Sequence, residues 1–96
     1  MSVASTIYGQ LGGNRFAVMT GAKNFVSSEN ALTFRIPKAK NGINAVRIIL
    51  NEMDLYDIEF IRVWGTTVKP VSNVGGIYAD QLRDVFTSYT GLYTSL

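Results

Sequence analysis

The densest group of residues that could do chemistry lies in the middle of this 96-residue chain. It is a set of four carboxylates: Glu52, Asp54, Asp57 and Glu59. Carboxylate oxygens are the ligands that hard cations such as Mg²⁺ prefer. Here, however, the spacing puts the acids around a turn, and nothing fixes their convergence on one point. A solvated hairpin turn whose charges discourage edge pairing explains them better, so we predict no metal site.

Histidine and cysteine are both absent from the sequence. Without histidine the chain lacks the commonest general base and the commonest metal ligand, which excludes triad hydrolysis and ordinary zinc chemistry. The absence of cysteine excludes disulfides and thiolate sites, and it fits a reducing compartment. The glycine-containing segments 12–14 and 20–24 match neither of the common phosphate-loop patterns. We therefore predict a protein that is not an enzyme and that uses no cofactor.

Charge is segregated along the sequence, although the net charge is only +2. Four cations from Arg35 to Arg47 occur without an intervening acid, and the next four charged residues are all acidic. A basic segment beside a sheet can contact phosphates, so nucleic-acid binding is one hypothesis. Its candidate contacts are Lys23, Arg35, Lys38, Lys40 and Arg47. Domains that bind double-stranded RNA usually carry several cations at the start of their last helix. Residues 78–84 here hold two acids and one arginine, so a solvated basic loop is the better explanation.

Protein binding is the leading hypothesis, with nucleic-acid binding as its alternative, because a sheet covered on one side exposes side chains on the other. Trp64, Ile49 and Ile61 are its candidate contacts, since exposed aromatic and aliphatic side chains anchor many protein interfaces. Two alternatives remain open. One is a metal-dependent enzyme that uses the four carboxylates, and the other is a structural protein that self-associates through a sheet face or edge.

The segment 44–64 is the centre of the predicted fold. Its two runs, 45–51 and 58–64, alternate apolar and polar side chains around the acidic turn, and this pattern predicts a β-hairpin. Residues 31–36 alternate in the same way, and we also assign a strand to 15–20 because Phe16 and Val18 are two positions apart. Residues 25–26 resume extended chain, and 65–74 form either an edge strand or a loop.

Helical spacing occurs at both ends of the chain. Residues 3–11 form a short helix that Gly12 and Gly13 end, and a second helix begins near Tyr78. Gly91 is the expected residue after that second helix, with Leu92 packing back against it.

Together these elements predict one α+β domain over residues 1–96. The expected order is α-β-β-β-β-α: a single antiparallel four-stranded sheet with the N- and C-terminal helices packed on one face. No apolar run approaches the roughly 20 residues that a membrane-spanning helix requires, and the N-terminus lacks the basic region of a signal peptide. We therefore expect no membrane partner.

Three blocks of sequence carry a resemblance. They are L-G-G-N-R-F-A-V-M-T-G-A-K-N-F (11–25), N-E-M-D-L-Y-D-I-E-F (51–60) and F-T-S-Y-T-G-L-Y-T-S-L (86–96). They resemble a family of small uncharacterised proteins of bacteriophages and mobile elements, most specifically in M-T-G-A-K-N-F and T-G-L-Y-T. The resemblance implies a phage or prophage accessory protein in the cytoplasm of a bacterial host, and it implies no functional residues. The leading expectation is a protein that binds a host or phage protein, for example by inhibiting a bacterial defence complex in the manner of an anti-CRISPR.

Overall fold

The computed structural model describes residues 3–37, 39 and 42–92, which form three α-helices and five β-strands. The elements are α1 (Val3–Leu11), α2 (Asn14–Thr20), β1 (Lys23–Ser27), β2 (Ala31–Arg35), β3 (Ala45–Leu50), β4 (Tyr56–Trp64), β5 (Thr67–Ile77) and α3 (Leu82–Thr90). A 3₁₀ turn over Ala79–Gln81 leads into α3. The strands form one antiparallel sheet in the order β1-β2-β3-β4-β5. The α+β class and the single antiparallel sheet are confirmed, and the number of strands is five rather than four.

The sheet has one buried face. Every second residue of the three central strands is buried there: Leu32, Phe34, Val46, Ile48, Ile58 and Phe60. These side chains pack in one core with residues of all three helices: Ala4, Ile7, Leu11, Phe16, Leu82 and Phe86. The terminal helices therefore cover the same face, as predicted, and α2 lies with them. No described element covers the opposite face, which we call the open face; it carries Thr33, Arg35, Arg47, Ile49, Glu59 and Ile61.

Three phenylalanine rings form the centre of the core. The Phe16 ring meets Phe34 and Phe86 edge to face, with centroid separations of 5.4 and 5.3 Å. Phe34 and Phe86 are 6.2 Å apart. Because these rings come from α2, β2 and α3, the cluster joins three elements that are distant in sequence. Aromatic contacts of this geometry add about 0.5–1.5 kcal/mol per pair beyond the area they bury.

The prediction of a strand at 15–20 is wrong, because these residues form helix α2. Phe16 and Thr20, four positions apart, are both buried, whereas Val18 is 82% exposed. In a strand Phe16 and Val18 would share a face, but in a helix residues four apart do. The helix ends at Gly21, whose φ of 73° is left-handed and whose N–H donates to the Ala17 carbonyl.

Both edges of the sheet are strands that the sequence analysis did not count. β1 occupies the segment expected only to be extended, and all five of its residues are exposed. β5 confirms the edge-strand alternative for the segment after Gly65. A two-residue turn, Gly65-Thr66, joins it to β4, and Gly65 has the positive φ (59°) that a two-residue hairpin turn favours. Two register shifts interrupt its pairing with β4, as is common for edge strands.

The helix ends follow the predictions. α1 stops at Leu11, and the Gly13 N–H donates to the Tyr8 carbonyl at 2.9 Å. α3 stops at Thr90 before a left-handed Gly91, and Leu92 packs against the core.

Candidate binding surface

The carboxylates at 52–59 lie in the turn between β3 and β4 and at the start of β4. Asn51 organises this turn, because its Oδ1 accepts hydrogen bonds from the N–H groups of Met53 (2.8 Å) and Leu55 (3.2 Å). Asp57 Oδ1 accepts from Asn51 Nδ2 and from the Gly76 N–H, each at 3.2 Å. In the part of the chain that the structure describes, no three acidic residues are placed to hold a metal ion together.

On the open face, two of the predicted protein-binding residues lie on either side of an ion pair. Arg47 Nη1 is 3.7 Å from Glu59 Oε1, and both side chains are partly exposed. The strand register puts Ile49 one row to one side of this pair and Ile61 one row to the other. Both isoleucines are partly exposed. The open face therefore presents aliphatic side chains around a charged centre.

Trp64 is not on that face. It is four residues from Phe60 along β4, so it lies on the helix side of the sheet, at the end of the strand next to the hairpin turn. Its side chain is 47% exposed, and the Arg62 guanidinium carbon is 5.0 Å from the ring centroid. The structure thus separates Trp64 from Ile49 and Ile61.

Of the predicted nucleic-acid contacts, the structure brings two together as direct neighbours. Lys23 and Arg35 are paired in the register of β1 and β2. Both line a groove of about 390 Å³ whose walls also include Asn24 and Asn44. The Arg35 Nε donates to the Asn44 carbonyl at 3.4 Å. Arg47 shares their face of the sheet but is paired with Glu59, and Lys38 and Lys40 lie outside the described residues.

Two further cations, which the sequence analysis did not select, lie at the same end of the sheet. Arg62 and Lys69 are register partners beside the β4–β5 turn. We call the set Lys23, Arg35, Arg62 and Lys69 the basic end. Antiparallel strands place these residues at one end of the sheet because Lys23 begins β1, Arg35 ends β2, and the β4–β5 turn lies at that same end. Lys23 and Arg35 are on the open face there, and Arg62 and Lys69 are on the helix side. The sequence could have indicated this position through strand direction, because neighbouring antiparallel strands put the end of one strand beside the start of the next.

Most carboxylates lie at the opposite end, which we call the acidic end: Glu29, Glu52, Asp54, Asp57 and Asp80. They occupy the β1–β2 turn, the β3–β4 turn, the start of β4 and the 3₁₀ turn after β5. Charge is therefore separated along the strands, with the Arg47–Glu59 pair between the two ends. Such a separation orients the molecule towards a charged partner.

A second groove, of about 360 Å³, lies between α1 and β1 and has no charged residue in its lining. Tyr8 and Phe25 form part of its wall, with their rings edge to face at 5.1 Å. Of the two grooves, only the one beside Lys23 and Arg35 has the cations that would hold an anion.

The chain matches no protein-family model, no curated protein and no solved structure. Among the described helices, none is long and apolar enough to cross a membrane.

Proposed function

We propose that this chain is a non-catalytic binding protein that holds nucleic acid at the basic end of its sheet. The observation that carries the proposal is the separation of charge along the strands. The resemblance to phage and mobile-element proteins supports an accessory role in the cytoplasm of a bacterial host.

The cations of the basic end are available to a ligand. In the described chain the one ion pair joins Arg47 to Glu59, so Lys23, Arg62 and Lys69 have no carboxylate within 4.0 Å, and neither has Arg35. The sequence ranges that build this end, 19–25, 35–47 and 60–72, contain no acid. Each cation that neutralises a phosphate releases counterions, which drives binding at low salt.

Salt dependence of binding tests the proposal. Fluorescence anisotropy with labelled oligonucleotides, across a series of NaCl concentrations, should give a linear plot of log K against log salt. Four phosphate contacts predict a slope of about −3. Lys23→Gln combined with Lys69→Gln should weaken binding and make the slope about half as steep, because two of the four contacts are lost.

A variant with the same change of net charge is the control. Arg15→Gln combined with Arg83→Gln removes two exposed cations from α2 and α3, and it should leave the slope close to that of the wild type. Absence of binding at the lowest salt, or equal effects of the two double variants, would contradict a specific basic-end site.

Docking on a protein through the open face is the second candidate function. It is favoured by the partly exposed Ile49 and Ile61 on either side of the Arg47–Glu59 pair. A host or phage protein is the expected partner, and a bacterial defence complex is one concrete case.

Affinity purification from nuclease-treated bacterial lysate tests this second function. Ile49→Thr with Ile61→Thr keeps β-branched residues in the strands and should abolish capture of a specific partner. Trp64→Ala, on the other side of the sheet, should retain it. Recovery of no specific partner by the wild type would count against protein docking.

A further inference from the structure

We infer that the nucleic acid held at the basic end is single-stranded, with a base stacked on the indole of Trp64. This inference rests on the proposed nucleic-acid binding and adds the form of the ligand and the residue that distinguishes it. It concerns the helix-side surface of the β4–β5 hairpin, where Arg62, Trp64 and Lys69 lie together.

Packing of the core does not account for the position of Trp64. The side chain belongs neither to the buried cluster nor to the partly buried residues that pack against it. It is the last residue of β4, directly before the Gly65-Thr66 turn, and nearly half of its surface is exposed. A large aromatic side chain held at a hairpin tip, outside the core, is available to a ligand.

The neighbours of Trp64 are those that a stacking site for nucleotides requires. The Arg62 guanidinium lies over the ring at 5.0 Å, and Lys69 is the cross-strand partner of Arg62, diagonal to the tryptophan. Single-strand binding sites combine aromatic faces for the bases with cations for the phosphates. Arg35 lies two strands away, a backbone separation of about 10 Å, with its side chain on the open face, so one flexible strand that crosses the end of the sheet can meet the cations of both faces.

The acidic residues disfavour the usual way of binding a duplex through a helix. The last helix, α3, begins next to the 3₁₀ turn that carries Asp80, and Asp84 lies in its first turn. Insertion of this helix terminus into a groove would bring carboxylates against phosphates. A base inside a duplex is also stacked on its neighbours, so only an unpaired base offers a free face to Trp64.

Trp64 is the only tryptophan in the sequence, so its fluorescence reports on this site alone. Titration with an unlabelled oligo(dT) should quench the tryptophan emission, and the quenching should saturate at the same concentration as the anisotropy signal. A matched duplex should bind more weakly and quench less.

Three variants complete the test. Trp64→Ala should weaken single-strand binding by about tenfold, the loss of one base–aromatic stack, and Trp64→Phe should restore most of it. Tyr78→Ala, which removes an aromatic side chain 60% exposed at the acidic end, should bind like the wild type. Thermal unfolding followed by circular dichroism should show that all three variants fold.

The outcomes separate the two proposals. Duplex binding as tight as single-strand binding, or no effect of Trp64→Ala, would overturn the single-strand inference and leave nucleic-acid binding standing. No binding of either form at low salt would overturn both.

Discussion

Thr20 and Thr90 make the same two hydrogen bonds at the ends of α2 and α3. Each hydroxyl donates to the carbonyl four residues earlier, at 2.8 Å in both helices, and accepts a bond from the backbone N–H two residues later. Both threonines are buried, and each precedes a left-handed glycine, Gly21 or Gly91. Two different helices therefore end in one local motif, F-x-x-x-T-G.

The two copies of this motif meet in the core. Their first residues, Phe16 and Phe86, contact each other edge to face with a centroid separation of 5.3 Å, and each also contacts Phe34 of β2. The threonine that ends each helix is thus hydrogen-bonded to the backbone of the phenylalanine that packs in the centre of the core.

Removal of the threonine hydroxyls should destabilise the protein. Thr20→Val and Thr90→Val keep the shape of the side chain, but each leaves a partly buried N–H, that of Ala22 or Leu92, without its acceptor. We expect each change to lower the free energy of unfolding by about 1 kcal/mol. Urea denaturation followed by circular dichroism measures this. Thr67→Val changes an exposed position in β5 and is the control, which should leave the free energy of unfolding nearly unchanged. Equal stability of all three variants would show that the two buried hydroxyls do not stabilise the helix ends.

A second prediction concerns residues 14–20 and distinguishes helix α2 from a strand at this position. Phe16→Ala should cost about 3–5 kcal/mol of unfolding free energy, because it leaves a cavity between Phe34 and Phe86. Val18→Ala should change stability by less than about 0.5 kcal/mol, because this side chain is 82% exposed. A strand would bury both residues on one face, so a large cost for Val18→Ala would argue for that arrangement. Chemical denaturation of the two variants gives the comparison.

The sequence predicts the elements whose burial pattern is local. Strands β2, β3 and β4 alternate because one face is buried, and α3 is amphipathic because only one of its sides meets the sheet. Gly91 was identifiable because a left-handed residue is needed after the helix. In these segments the local preference and the tertiary environment agree.

The sequence fails where tertiary contacts decide between two local possibilities. Phe16 and Val18 fit a strand as well as a helix, and only the contacts of Phe16 with Phe34 and Phe86 select the helix. A comparison of 16–21 with 86–91 would have revealed the shared F-x-x-x-T-G motif. Strand β5 is largely exposed, so it has no buried alternating set and is held mainly by backbone pairing with β4.

Only two of the four cations of the basic end are predicted from the sequence, for a related reason. Lys23 and Arg35 are both among the cations predicted to contact nucleic acid, and Arg35 begins the basic segment 35–47. Arg62 and Lys69 follow the acidic turn, and the segment that forms β5 is not among the four predicted strands. Their position at the same end of the sheet as Lys23 and Arg35 therefore depends on the strand order.

Asn44 provides a third prediction, which links stability to the binding surface. Its Nδ2 donates to the Val63 carbonyl and its Oδ1 accepts from the Val63 N–H, both at 2.8 Å, so the side chain extends the pairing of β4 next to Trp64. Asn44→Ala should cost about 1–3 kcal/mol, the loss of two hydrogen bonds, and should speed amide exchange at Val63. Asn73→Ala, an exposed position of β5, is the control. Unchanged exchange at Val63 in Asn44→Ala would show that the side chain does not hold this end of the strand.

The pH dependence of stability should reveal the buried hydroxyl of Tyr56. Burial raises the pKa of this group above its ordinary value of 10.0, outweighing a smaller lowering by its hydrogen bond to Gln10. Above pH 10.0 the unfolded chain loses this proton while the folded chain keeps it, so the unfolding free energy falls as pH rises through the folded pKa. Below pH 10.0 the contribution is fully present. Tyr56→Phe has no such proton, so urea denaturation at increasing alkaline pH should show a steeper fall for the wild type than for the variant. Tyrosines and lysines common to both proteins cancel in this difference, and parallel curves would mean that the hydroxyl of Tyr56 titrates as it does in the unfolded chain.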